Sequence, residues 1–145
     1  MGFEKKSKPT ARAYLAANQS IPNATWTKII FDTEEWDTDG MFTPPSTDIV
    51  VKRLSGYYLI QGSVGFAANA TGIRAANLPI AYNYTPALSG GITAVQIHSI
   101  YHFALNETVD IEVLQNSGAA LDAIGPAAPG GRTVTWLSIT HLTGR

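Results

Sequence analysis

Hydrophobic and polar residues alternate along most of this chain with a period of two, the pattern of strands that wet one face and bury the other. In "GYYLIQGSVGF" (56–66), Tyr58, Ile60, Val64 and Phe66 share one side, with Tyr57, Gln61 and Ser63 on the other. The stretch "AVQIHSIYHFAL" (94–105) sets Val95, Ile97, Tyr101, Phe103 and Leu105 against Gln96, His98 and His102. "TVDIEVLQ" (108–115) sets Val109, Ile111 and Val113 against Asp110 and Glu112. Further strands are expected over 12–17, 26–31, 47–54, 73–83 and 133–142. Turn-forming clusters such as "NQSIPNAT", "DTDG", "TPPST" and "PALSGG" separate them. Segment 118–131, "GAALDAIGPAAPGG", is apolar but rich in Gly and Pro, and is expected to be a long loop. About eight strands at this spacing predict an all-β antiparallel sandwich or barrel, not a parallel sheet.

Composition narrows the picture. With 145 residues the chain has the size of one domain with a real core. Its net charge of −1 supplies no basic field for nucleic acid. Only 14% of residues are charged, against about a quarter in a typical domain. From Ser55 to Arg145 just seven carry charge. A surface so poor in charge suits an oligomer that covers part of it. Cysteine is absent, so thiolate chemistry, disulfides and cysteine zinc sites are excluded. No stretch is long and apolar enough to cross a membrane as a helix. The N-terminus has lysines but no apolar run, so no signal peptide is read there. "MGFEKKS" does match the loose myristoylation pattern at Gly2.

Several stretches together resemble the globular-head family of complement C1q and tumour necrosis factor, in particular its bacterial and phage members. The likeness runs from about Ala11 to Leu142 and opens with "ARAYLAANQSI". "WTKIIFDTEEWDTDGMF" follows, with its Phe-Asp and then an Asp-Gly-aromatic turn. Gly56, Tyr58, Val64 and Phe66 match the family's central strand, and "LNETVDIEVLQNSG" and "TVTWLSITHL" match its later ones. Asn106-Glu107 departs from the Gly-Asp turn of many relatives, which argues against carrying over a cation site there. The resemblance implies a ten-strand jelly roll that assembles as a homotrimer. It does not fix function, because such heads serve as recognition modules, cytokines, spore-surface proteins and virion parts.

The stretch most like chemistry is "FDTEEWDTDGMF" (31–42), with five carboxylates. Glu35, Asp37, Asp39 and Gly40 occupy positions 1, 3, 5 and 6 of an EF-hand loop, but position 12 is Ser46 and two prolines intervene. A looser calcium site would use Asp37 and Asp39. The favoured reading is a turn at Asp39-Gly40, pinned by Phe31, Trp36 and Phe42, with solvated carboxylates. His98 and His102 lie about 13 Å apart if on one strand, too far to share an ion. A ring that adds His141 across subunits is the remaining metal arrangement. No nucleophile elbow or phosphate loop is present, and no enzymatic activity is expected. Five Asn-x-Ser/Thr sequons, at Asn18, Asn23, Asn69, Asn83 and Asn106, are given no functional weight.

These readings lead to a trimeric phage virion structural protein, most simply a capsid decoration protein that docks on the shell and stabilises it. Residues 1–12 are expected to form a basic docking arm carrying Lys5, Lys6, Lys8 and Arg12, and 13–145 the jelly-roll domain. Tyr57, Tyr58, Phe66, Tyr101, Phe103 and Trp136 are the expected core and trimer-interface aromatics. The expected partners are other copies of the chain and capsid or tail proteins, on the surface of a virion particle. No nucleic acid, membrane or cofactor is called for, apart from the calcium considered above. The alternative is a receptor- or glycan-binding head at a fibre or tail tip that uses loop aromatics at its exposed end. Tyr57, Tyr58, Tyr82, Tyr84, Tyr101 and Trp136 are residues able to stack on sugars, though such residues more often anchor a core or an interface.

Overall fold

The computed structural model describes residues 6–127 and 132–143, and among these the secondary structure consists of strands. The first are β1 (Thr10–Tyr14), β2 (Gln19–Ile21), β3 (Thr27–Lys28), β4 (Thr33–Asp37) and β5 (Ile49–Val50). Then come β6 (Gly56–Phe66), β7 (Ile73–Leu78), β8 (Ala81–Pro86), β9 (Thr93–Phe103) and β10 (Thr108–Val109). The last are β11 (Glu112–Gln115), β12 (Leu121–Ala123), β13 (Pro126–Ala127), β14 (Arg132–Thr133) and β15 (Trp136–Thr143).

Two antiparallel sheets carry the fold. The larger runs β2-β12-β6-β15-β1-β4, with β9 also paired to β6, and the smaller runs β3-β11-β7-β8. Strands β6 and β9 keep one register from Gly56↔Phe103 to Phe66↔Thr93. Their alternation is the expected one. Tyr58, Ile60, Val64 and Phe66 are fully buried and join Leu137 and Ile139 of β15. Val113 of β11 and Ala76 of β7 meet them from the smaller sheet. Each large side chain so buried contributes about 1.5–3 kcal/mol relative to exposure.

One buried group is not apolar. Arg74 of β7 is fully enclosed beside the Phe66 ring, 5.8 Å from its centroid. Its guanidinium donates to the carbonyls of Asn69, Thr71 and Ile73, and so holds the 67–72 loop. Burial lowers its pKa, and no carboxylate offsets the charge among these contacts. Gly72, at φ +80°, closes this loop against Asn116; a Cβ there would run into the Asn116 side chain and carbonyl. That site requires glycine on two counts, conformation and space.

Several sequence expectations change. The stretch 73–83 is not one strand: Pro79 ends β7, and Ile80, at φ 59°, turns the chain back into β8. Segment 118–131 is not simply a loop, since Leu121–Ala123 pairs with β2 and touches Phe66 of β6. Gln19–Ile21, inside a supposed turn cluster, supplies the other side of that pairing. Neighbouring strands stabilise these three-residue pieces, which have little propensity of their own. Leu105, expected beside Phe103 in the core, lies beyond the end of β9 and is 48% exposed. The arm boundary at residue 12 falls inside β1, which is hydrogen-bonded between β15 and β4. The chain is therefore part of the sandwich from Thr10 onward.

Candidate interaction surfaces

The acidic stretch is positioned by β4, which pairs with β1 through a register shift at Arg12/Ala13. It is thus an edge strand followed by a turn, and charges on an edge discourage pairing with other chains. Asp37 accepts the backbone N–H groups of Asp39 and Phe42 at 3.1 and 2.9 Å. Asp39 pairs with Arg53 at 2.8 Å. That hydrogen bond holds the Asp39 carboxyl below its ordinary pKa. Burial pushes the Asp32 carboxyl upward, but donors from Ala16, Ala17 and Thr33 together outweigh it and leave the pKa lowered. The stretch ends in a turn, as expected, yet its carboxylates are not simply solvated. Phe31 and Phe42 pin it from inside, whereas Trp36, expected to do so, is 40% exposed.

The supposed arm is largely tied to its own domain. Lys8 Nζ donates to the Leu142 carbonyl at 2.7 Å, His141 N–H donates to the Pro9 carbonyl, and Arg53 donates to that of Ser7. Lys6 is exposed, and Lys5 lies outside the described residues. Arg12 lies between two indoles, 4.1 Å from the Trp136 centroid and 5.4 Å from that of Trp36. Its Nε is 2.7 Å from Glu35 Oε2. That N–H is buried and badly aimed for a hydrogen bond, so stacking and charge hold the group.

Trp136 and Arg12 border the outward face of the larger sheet, and this face is unusual. Strands β6, β9 and β15 contain no Lys, Arg, Asp or Glu at all. Across the β6–β9 ladder the outward pairs are Tyr57↔His102, Leu59↔Ile100 and Gln61↔His98. Tyr57 is 46% and Ile100 54% exposed, and the Tyr57 and His102 rings meet edge to face at 5.1 Å. A hollow of about 230 Å³ between Gln61, Gln96, His98 and Trp136 indents the face. The histidines do not converge. His98 and His102 are exposed here, whereas His141 is buried on the inner face against Tyr58, with ring centroids 5.0 Å apart. A ring built from all three is therefore excluded by the sheet itself. No group of three or more potential metal-binding side chains occurs among the described residues. Of the remaining expected interface aromatics, Tyr58, Phe66 and Phe103 belong to the core. Tyr101, partly buried, lines an opening of about 330 Å³ at the end of the sandwich with Pro79, Asn106 and Glu107.

The outward face of the smaller sheet holds a second exposed cluster. Trp26, Tyr82 and Tyr84 are 43%, 56% and 59% exposed. Their rings follow one another at centroid distances of 6.1 and 6.0 Å. Of the six aromatics able to stack on sugars, the fold brings only Tyr82 and Tyr84 together here, and it adds Trp26, which is distant in sequence. Most sequon asparagines are structural. Asn18 accepts from Gly125 N–H, Asn23 from Gly118 N–H and Asn69 from Thr71 N–H, while Asn83 donates to the Gln96 carbonyl.

No family model matches the chain, and no curated protein matches it by sequence. Solved structures do. One is murine APRIL, with TM-score 0.60 and 12% identity over 93% of this chain and 99% of that one. Another is the globular domain of zebrafish complement 1qA, with TM-score 0.59 and 12% identity over 95% and 99%. The fold is accordingly a C1q/TNF-like jelly roll, as the sequence resemblance implied.

Proposed function

We propose that the chain is a non-catalytic homotrimeric head, and within that class a virion surface protein of the capsid-decoration type. The observation that carries this reading is the charge-free outward face of β9, β6 and β15, with Tyr57 and Ile100 half open to solvent. Packing such a face against further copies of the chain removes apolar area from water without stranding a charge. The C1q/TNF resemblance, which implies threefold assembly, supports the same stoichiometry. The absence of catalysis is supported by the state of the most acidic stretch, where Asp32, Asp37 and Asp39 are engaged as caps and an ion pair. Lys8 and Arg12 are committed within the domain, so docking on a shell falls to the trimer's surface and to residues before Ser7. Light scattering tests the core of the reading. Three protomers per particle are expected, and a monomer at micromolar concentration would overturn it.

A second reading, a receptor-binding head at a fibre or tail tip, is favoured by one observation. The Trp26–Tyr82–Tyr84 cluster lies on the other sheet and stays open if the larger sheet is covered. Copy number in purified particles separates the two readings, because a decoration protein is abundant and a tail tip is scarce.

A further inference from the structure

We propose that the outward face of the smaller sheet binds a neutral glycan, with Trp26, Tyr82 and Tyr84 as its stacking platform. This deepens the receptor-binding reading and does not depend on the trimer. The two tyrosines alternate on β8 and therefore point the same way. Their cross-strand partners on β7 are small, Asn77 opposite Tyr82 and Ala75 opposite Tyr84, so the rings are not covered from that side. Trp26 meets Tyr82 edge to face from the segment before β3. The platform is held in place. Asn83 Nδ2 donates across to the Gln96 carbonyl at 2.7 Å, and its Oδ1 accepts from Tyr84 N–H at 2.9 Å. Little ordering cost is left for a ligand to meet.

The chemistry of the site selects the ligand class. One face of a pyranose ring presents C–H groups with partial positive charge, which match the electron-rich faces of aromatic rings. Hydroxyls at the sugar's rim need polar partners. The Tyr82 and Tyr84 hydroxyls make no hydrogen bond among the described residues, and Asn77 stands opposite Tyr82 on β7. In the orientation its neighbours require, Asn77 Nδ2 donates to the Leu78 and Ala81 carbonyls, leaving its oxygen as an acceptor. Charge argues against an anionic ligand. Lys28 is paired with Asp110 at 2.9 Å, and Glu112 stands next in line, opposite Asn77. Among the described residues, the cation on this face, Lys28, is already paired, which disfavours a phosphate or sialic acid. A protein partner broad enough to use this face would also have to cover Glu112 and the Lys28–Asp110 pair beside the rings, at a desolvation cost that a small neutral ligand avoids.

The test is titration of the full chain with uncharged oligosaccharides of glucose, galactose and N-acetylglucosamine, followed by tryptophan fluorescence and calorimetry. Saturable, salt-insensitive binding is expected for at least one of them. Tyr82→Ala and Tyr84→Ala should each weaken it about tenfold, while Tyr84→Phe should keep most of it. Trp26→Ala, on a different segment, checks the platform independently. Binding unaffected by all three alanine variants, binding to acidic glycans alone, or no binding to any probe would overturn the proposal. Attachment to host cells separates this failure from that of the receptor reading. Attachment lost with Tyr82→Ala and Tyr84→Ala, yet surviving periodate oxidation of the cell surface, means a protein receptor at this face and overturns the glycan. Attachment indifferent to both treatments overturns the glycan site, and no attachment of the unmodified chain overturns the receptor reading.

Discussion

The two sheets of this sandwich each turn one side to the core, and their outward sides differ in kind. That of the larger sheet is wide and mixed, and free of charge along β6, β9 and β15, with Tyr57, Leu59 and Ile100 beside Gln61 and His98. That of the smaller sheet carries a narrower aromatic row with Leu114 two strands away, flanked by the Lys28–Asp110 ion pair and Glu112. Area decides the first and geometry the second. A broad neutral face gains free energy in proportion to what covers it, which suits self-association. A narrow row of rings gains little from area alone but offers directional stacking, which suits a small ligand. Equal exposure of single residues, such as Ile100 and Tyr82, thus carries different meanings in different surroundings.

The comparison can be broken most forcefully at Ile100. Ile100→Lys places an ammonium in the centre of the uncharged face and should reduce the mass by light scattering from trimer to monomer. Tyr82→Ala should leave the mass unchanged. A reversal of these two outcomes would exchange the roles of the faces. Next in size is Gly72→Ala, which meets Asn116 at a positive φ and loosens the start of β7; chemical denaturation should show a loss of about 2–3 kcal/mol. Arg12→Ala removes the cation between Trp36 and Trp136 and should lower stability by about 1–2 kcal/mol. Its effect should appear as a change in tryptophan fluorescence at the border of the larger face, leaving the aromatic row intact.

The smallest expected effect is on the acidic turn. The folded-state pKa of Asp39 lies below its unfolded value, so the Arg53 pair contributes fully above the unfolded pKa, about 3.9. Its contribution is lost as pH falls through the folded value. Asp39→Asn should cost no more than about 1 kcal/mol at neutral pH and flatten the acid limb of the stability curve. A chelator should change neither mass nor melting temperature. Dissociation on chelation would instead promote Asp37 and Asp39 to calcium ligands.

Much of this architecture was legible along the chain. Strands β6, β9 and β11 announce themselves because each has one wet and one dry face, and period two records that difference directly. The charge-poor second half follows from composition, the jelly roll was implied by the family resemblance, and of the six aromatics expected in core or interface Tyr58, Phe66 and Phe103 lie in the core. Where pairing is supplied by distant neighbours, local signals failed. Leu121–Ala123 is a strand because Gln19–Ile21 lies beside it, and Arg12 belongs to a sheet because β15 and β4 flank it. Pattern told which residues avoid water, since that is a property of each side chain. Which exposed residues stand together is a matter of register between segments far apart in sequence. Trp26 beside Tyr82, Arg12 between two indoles, and His141 turned away from His98 and His102 were therefore decided only when the sheets closed.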